Sequence, residues 1–227
     1  VPTAAHAGYT EQFHDPVFLE LKPLQASYGE NYINDFETTM NSSNFADPTT
    51  GYPSIIDRTS FQDFFILQEL GRTVDGYRSS SFLHKDRDGF SWNAPLIAGP
   101  MWDFNLSYGN ADYCGADLTT GWQYNFDDVC GNFSTSIPFW WERLLEDPAY
   151  ANSLKCRWNE LREGPLHTDS INAFIDSIAL HIEDARIRNF QKWPIIGVYV
   201  NWNGFVGQTY QEDLDYLKTY IEQRSLW

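Results

Sequence analysis

Thr73-Val74-Asp75-Gly76-Tyr77-Arg78-Ser79-Ser80-Ser81-Phe82 and Gly99-Pro100-Met101-Trp102-Asp103-Phe104-Asn105 are the two runs around which the rest of the chain arranges itself. Each carries one Asp among glycine and aromatic residues. Between them, Phe82-Leu83-His84-Lys85 and Phe90-Ser91-Trp92-Asn93 read as strands, joined by a turn at Asp86-Arg87-Asp88-Gly89. An Asp-Gly pair between strand formers is a strong hairpin signal, because glycine takes positive φ at no steric cost. Asp75 and Asp103 stand 28 positions apart (103 minus 75). Folding the hairpin back on itself brings its two flanks, and with them both carboxylates, toward one site.

Two carboxylates held close repel unless a cation or proton lies between them. A hard divalent ion with oxygen ligands is the usual answer at phosphoryl-transfer sites. The plainer reading makes Asp75 a turn residue before Gly76 and Asp103 a backbone cap.

Upstream, Tyr28, Tyr32, Ile33, Phe36 and Met40 recur at helical spacing, so a helix is expected over 28–40. A loop follows over 41–56. Asp57 or Thr59 caps a second helix whose apolar positions are Phe61, Phe64, Phe65, Leu67 and Leu70, and Gly71 ends it. Glu69 is expected near the mouth of the Asp75 loop, either bonded to Arg72 or Arg78 or simply solvated. Before these, Val17-Phe18-Leu19-Glu20-Leu21 reads as a lone strand, the tail of a preceding sheet.

Downstream, Leu106 to Ser136 is a long connection rich in glycine and aspartate. Connections of that length inside a compact domain are usually functional or disordered. Its Tyr108, Tyr113, Trp122, Tyr124 and Phe126 argue for order. Asp127-Asp128 would attract a basic peptide or calcium, or lie in a solvated loop. Asn41-Ser42-Ser43 and Asn132-Phe133-Ser134 match the N-glycosylation pattern and are read as loop sequence. From 136 on, helices are expected. One is capped by Ser136, one opens at Asp147-Pro148, one runs from Thr168 to about Asn189 with Ile171, Phe174, Ile178, His181, Ile182 and Ala185 inward, and the last follows a capping box at Thr209-Tyr210-Gln211-Glu212. On that last helix Leu214, Leu217 and Ile221 face inward, with Asp213, Lys218, Glu222 and Arg224 outward.

At 227 residues the chain can bury a sizeable core as one domain or large lobe. Aromatics make up 17% of it, including nine Trp, enough for an aromatic core first and a stacking surface second. A net charge of −16 argues against direct nucleic-acid binding, which needs clustered Lys and Arg. No apolar run reaches the ~18–20 residues of a bilayer span. The N-terminus shows no basic-then-apolar leader, and Val1 is expected to begin a processed or excised piece of a longer protein. Cys114 and Cys130 would close a loop by a disulfide worth about 3 kcal/mol. Equally, all three cysteines are reduced thiols; in the disulfide case Cys156 is left as a buried thiol.

The runs Val74-Asp75-Gly76-Tyr77-Arg78, Phe82-Leu83-His84-Lys85-Asp86, Gly99-Pro100-Met101-Trp102-Asp103-Phe104-Asn105 and Gly109-Asn110-Ala111-Asp112 resemble the CotH (spore coat protein H) kinase-like family. Pro138-Phe139-Trp140-Trp141 and Cys156-Arg157-Trp158 extend the likeness, which is dense from about Tyr32 onward. The resemblance implies an α+β fold: a mainly helical, protein-kinase-like large C-terminal lobe with a short β-hairpin between the two Asp motifs. The small nucleotide-binding lobe is expected to be largely absent, with residues 1–25 its remnant or linker and 26–227 the large lobe.

The resemblance further implies an atypical secretory-type kinase using ATP and Mg²⁺ or Mn²⁺ on a protein or peptide substrate. Asp75 would be the catalytic-loop Asp and Asp103 the metal ligand. Arg78 would steady phosphoryl oxygens, with Ser80 and Lys85 toward the cofactor. A secreted or cell-surface location follows from the same likeness. Ser80 stands where kinase catalytic loops carry a metal-binding Asn, Asn105 stands where they carry Gly, and no Gly-rich phosphate loop, strand Lys or partner Glu precedes Asp75. The chain by itself is therefore expected not to turn over ATP. The alternative reading is an inactive kinase-like binding or structural module for protein or carbohydrate.

Overall fold

A computed structural model of the chain describes residues 12–14, 16–89, 93–131 and 136–227. Among them are eight α-helices and one antiparallel pair of short strands, a mainly helical α+β arrangement. The helices are α1 Pro23–Met40, α2 Arg58–Gly71, α3 Phe126–Val129, α4 Trp140–Leu145, α5 Pro148–Arg162, α6 Thr168–His181, α7 Glu183–Lys192 and α8 Tyr210–Leu226; the strands are β1 Leu83–Lys85 and β2 Leu96–Ala98.

α1 begins a turn and a half earlier than its apolar spacing indicates. Pro23 sits in the first turn, where no N–H is needed, and the Gln25 side chain accepts from the Lys22 N–H at 3.0 Å. The helix runs across residues 25 and 26, so it ties the two expected segments together. The expected strand at 17–21 is instead a 3-10 turn, Phe18–Glu20, with Leu19 94% exposed. Among the described residues no strand pairs with it.

α2 is capped by Asp57, whose carboxylate accepts from the Ser60 N–H at 2.7 Å. It buries Phe61, Phe64 and Phe65. Phe64 stacks on Trp141 with centroids 5.1 Å apart at 11°, Tyr77 meets the same indole edge-on at 5.1 Å, and Phe36 of α1 meets Trp140 at 5.3 Å. Such pairs add about 0.5–1.5 kcal/mol each beyond the area they bury. The aromatic core is thus built where α1, α2 and α4 meet, with Tyr52 and Tyr150 closing one end at 6.0 Å.

α2 ends at Gly71, as expected, and the turn out of it is made by the next residue. Gly71 stays helical and Arg72 takes the left-handed conformation at φ 45°. Glycine is needed at 71 for space, since a Cβ there would lie 2.9 Å from Thr73 Oγ1 and 3.3 Å from the Phe104 ring. Arg72 is held in its unusual backbone state by two bonds from Nη1, to the carbonyls of Gly115 (2.8 Å) and Leu118 (3.0 Å).

The hairpin exists but is longer than expected. β1 pairs with Leu96–Ala98, in the register Leu83↔Ala98, His84↔Ile97, Lys85↔Leu96. Of the expected second strand, Phe90–Trp92 lie outside the described residues and Asn93 belongs to neither strand. β2 is the buried apolar run and also bonds the entry to α2, through Leu96 N–H to Ile55 O (2.8 Å) and Asp57 N–H to Leu96 O (2.7 Å). That second partner fixes which residues form the strand.

Toward the C-terminus, α4 starts from Phe139 with no side-chain cap, so Ser136 does not serve as one. Asp147 does cap α5, accepting from the Ala149 N–H at 2.8 Å. The expected helix 168–189 is broken at Ile182, and its supposed inward face is largely exposed: Phe174 67%, Ile178 44%, Ile182 40%. Periodicity identifies an apolar face without saying that anything covers it. α6 packs on α8, with Lys218 bonded to Asp176 at 2.5 Å. Thr209 caps α8, accepting from the Glu212 N–H at 3.2 Å. Arg224, expected on its outer face, is buried.

Cys114 and Cys130 form a disulfide across 16 positions, and Cys156 is exposed rather than buried. The second glycosylation-like triplet, at 132–134, lies outside the described residues.

Candidate functional site

Three backbone and hydroxyl bonds zip the chain entering the Asp75 loop to the chain leaving Asp103. Tyr108 N–H donates to Gly71 O at 2.6 Å, Val74 N–H to Leu106 O at 3.1 Å, and the Ser107 hydroxyl to Thr73 Oγ1 at 3.0 Å. The loop itself is wound tightly about its Asp: the Asp75 carbonyl accepts from the amides of Arg78, Ser79 and Ser80. Gly76 is pressed so close to Gln68 of α2 that a Cβ would fall 2.1 Å from Oε1. The loop therefore has a fixed seat on α2.

Ser80 carries the junction. Its N–H turns back to Asp75 O at 3.0 Å, while its hydroxyl lies 3.5 Å from Asp103 Oδ2. That second distance is long for an O–H···O bond, so neither oxygen saturates the other. Asp103 sits at φ 60°, a left-handed turn that few non-glycine residues adopt, and its side chain is exposed. Through Ser80, the Asp75 loop thus comes within 3.5 Å of the Asp103 carboxylate.

Arg78 lies behind Asp75. Its Nη2 is 3.8 Å from Asp75 Oδ1, its side chain is 1% exposed, and the guanidinium rests over the Phe126 ring at 5.1 Å. Burial pushes the guanidinium below its ordinary range, against the opposing pull of Asp75, Asp127 and Tyr113. Asp75 keeps a third of its side chain open to solvent. Tyr113, from the connection after Asp103, is pushed upward by burial and then by the Asp75 charge, which sets it beside the two. In the sequence it is one more aromatic favouring order in the 106–136 connection; nothing in its spacing from Asp75 marks it.

Lys85 has a different setting. Its ammonium is bonded to Asp88 and to Asp86 O, and lies 5.5 and 5.0 Å from the rings of Tyr28 and Tyr32. Burial works against its charge, but Asp88 and Tyr28 outweigh it and hold Lys85 above its ordinary value. It lines a cavity of about 570 Å³ between α1 and β1, together with Phe13, His84 and Arg87.

Glu69 departs from expectation most. It bonds neither Arg72 nor Arg78 and is not solvated. Buried at 6% exposure, it accepts from the amides of Gln123 and Tyr124 at 2.8 Å, from Tyr77 Oη at 2.9 Å and from Arg224 Nη2 at 3.2 Å. One carboxylate therefore anchors the connection 122–124, the C-terminal helix and the Asp75 loop to α2.

This order of elements, a core helix, a tight Asp loop, a hairpin and a second Asp zipped back to the first, spans the region that carried the family likeness. Residues 9–227 match the family described as CotH kinase protein. The chain belongs to that family. No curated protein and no solved structure matches it. Membership in the CotH kinase family makes the chain kinase-like, and no helix of the described residues is long and apolar enough to cross a membrane.

Proposed function

We propose that the chain is the large lobe of a metal-dependent phosphotransferase that uses ATP and acts on a hydroxyl of a secreted or cell-surface protein or peptide. The observation that carries this reading is Ser80, bonded to Asp75 by its backbone and facing Asp103 with its hydroxyl.

The donor set suits a magnesium-type ion. Among the described residues no three His, Cys, Asp or Glu side chains form a group that could hold a metal ion. Mg²⁺ does not ask for such a group, since it is commonly held by one or two carboxylates with phosphates and water. Asp103 Oδ2 and Ser80 Oγ are two hard oxygen donors turned to one place, with the hydroxyl standing where an Asn amide is usual. A divalent ion held there would supply charge neutralisation on the phosphates. The protein's own contribution is positional. Asp75, open to solvent on one side, orients an acceptor hydroxyl and takes its proton. Arg78 is buried and faces the Asp75 carboxylate, so it fixes that carboxylate rather than gripping phosphate. Lys85, held by Asp88 and two tyrosine rings, acts as a brace for α1 against β1.

Calorimetric titration of Mg-ATP into the complete protein tests the reading. Binding that requires the metal and is abolished by Asp103→Asn is expected; if Asp103→Asn keeps full metal-dependent labelling of substrate, the metal assignment is wrong. No nucleotide binding at all would favour an inactive kinase-like recognition module.

A further inference from the structure

A second cavity, of about 430 Å³, is lined by α2, the 122–124 segment, α5 and the end of α8, with Glu69 among its lining residues. Its walls are Phe65, Trp122, Tyr124, Leu154, Trp158 and Trp227. The rings brace one another: Trp122 meets Trp227 edge-on at 4.9 Å and Tyr124 at 5.8 Å, and Tyr124 meets Phe65 at 5.8 Å. Its size falls in the range of small-molecule sites, which run to roughly 300–1,000 Å³ and are mostly apolar with a few polar groups.

The polar groups decide what would enter. Glu69 and Arg224 satisfy each other, and Arg224 also donates to the carbonyls of Glu69, Thr119 and Gly121. Ser225 is spent on Ile221 O at 2.7 Å. Lys155 is exposed and, among the described residues, makes no hydrogen bond or ion pair. The lining's acid is thus neutralised in place, leaving one uncommitted cation beside an aromatic hollow. The protein's overall charge of −16 bears little on this, since charges more than about 8 Å away are screened at physiological salt. A sugar would need several free, directed hydrogen-bonding groups, and the carboxylate and guanidinium best placed to supply them are already engaged.

We propose that this cavity binds a small amphipathic carboxylate, a fatty or aromatic acid, with its apolar body among Phe65, Trp122, Trp158 and Trp227 and its carboxylate on Lys155. The site is independent of the phosphotransferase reading.

Calorimetry with dodecanoate and its neutral counterpart dodecanol, below the concentrations at which either aggregates, tests it. Dodecanoate is expected to bind saturably at one site, about tenfold more tightly than dodecanol, the worth of one charge-assisted contact. Lys155→Met should erase that tenfold difference while leaving dodecanol binding unchanged; Lys155 is exposed, so this variant should fold. Ala151→Trp, which fills the hollow, should abolish binding of both, with its folding checked by thermal unfolding. The absence of saturable binding would overturn the proposal. So would equal affinity for acid and alcohol, or dodecanoate binding untouched by Lys155→Met, the result expected if the ligand lay on the exposed apolar face of α6.

Discussion

Replacing Glu69 by Ala removes the acceptor for four donors at once: the Gln123 and Tyr124 amides, Tyr77 Oη and Arg224 Nη2. Breaking a buried ion pair by deleting one partner typically costs about 3–5 kcal/mol. Arg224 keeps three carbonyl acceptors and Tyr77 Oη keeps the Phe65 carbonyl at 3.3 Å, but two backbone amides lose theirs, so we expect a loss of about 4 kcal/mol. In a chain of this size that lowers Tm by about 8–16 °C. Urea denaturation followed by tryptophan emission measures it, and a loss below about 1 kcal/mol would refute the assignment of Glu69 as a central tie. The pH dependence gives a second check. Burial raises the Glu69 carboxyl above its ordinary value of 4.5, outweighing the Gln123 amide and Arg224, which pull it down. A raised carboxylate takes up a proton on folding, so its contribution is present at acid pH and falls as pH rises from about 4.5 through the folded value. Glu69→Gln removes that limb. Its cost should therefore be larger at pH 4 than at pH 7, and a cost that grows with pH would show that Arg224 and the amides dominate instead.

Asp88 should behave in the opposite sense. Lys85, then Tyr28 and the Ala94 amide, pull it from 3.8 to about 2, so the stability it lends is present above 3.8 and lost as pH falls toward 2; Asp88→Asn should flatten that part of an acid-unfolding curve. Cys114→Ser with Cys130→Ser opens a 16-residue loop and should lower the unfolding free energy by about 3 kcal/mol, read from the urea midpoint at constant m. Gly76→Ala would drive a methyl into Gln68 and Thr73, at a cost of about 1–3 kcal/mol in thermal unfolding. A neutral Gly76→Ala would mean that the Asp75 loop is not seated on α2 as described.

What the sequence made legible was local. The Asp57 cap, the helix opening at Asp147-Pro148 and the inward Phe61, Phe64, Phe65 and Leu70 of α2 are short-range signals, and each stands where the residues indicated. What it hid depended on distant partners. β2 is at 96–98 because Ile55 and Asp57 bond its backbone, a preference that no hairpin rule over 86–93 contains. Glu69 and Arg224 each look like exposed helix charges until they are paired across 155 positions. Of the proposed site, Asp75, Ser80 and Asp103 are the residues that the motif names, and the structure adds the approach of Ser80 to Asp103. Arg78 was assigned a ligand role that its burial against Phe126 does not favour, and Tyr113 was invisible because its neighbourhood is made by the fold of the 106–131 segment.

The tie between α2 and α8 has a consequence for biosynthesis. At roughly 5–20 residues per second, the ribosome needs about 8–31 s to add the 155 residues that separate Glu69 from Arg224. Throughout that interval the nascent helix carries an acid with no cationic counterpart, so this side of the domain cannot consolidate until its final turn has been made. A stop in place of the Arg224 codon would remove that cation, and the loss would then register at the Asp75 loop, which is tied to the same carboxylate through Tyr77.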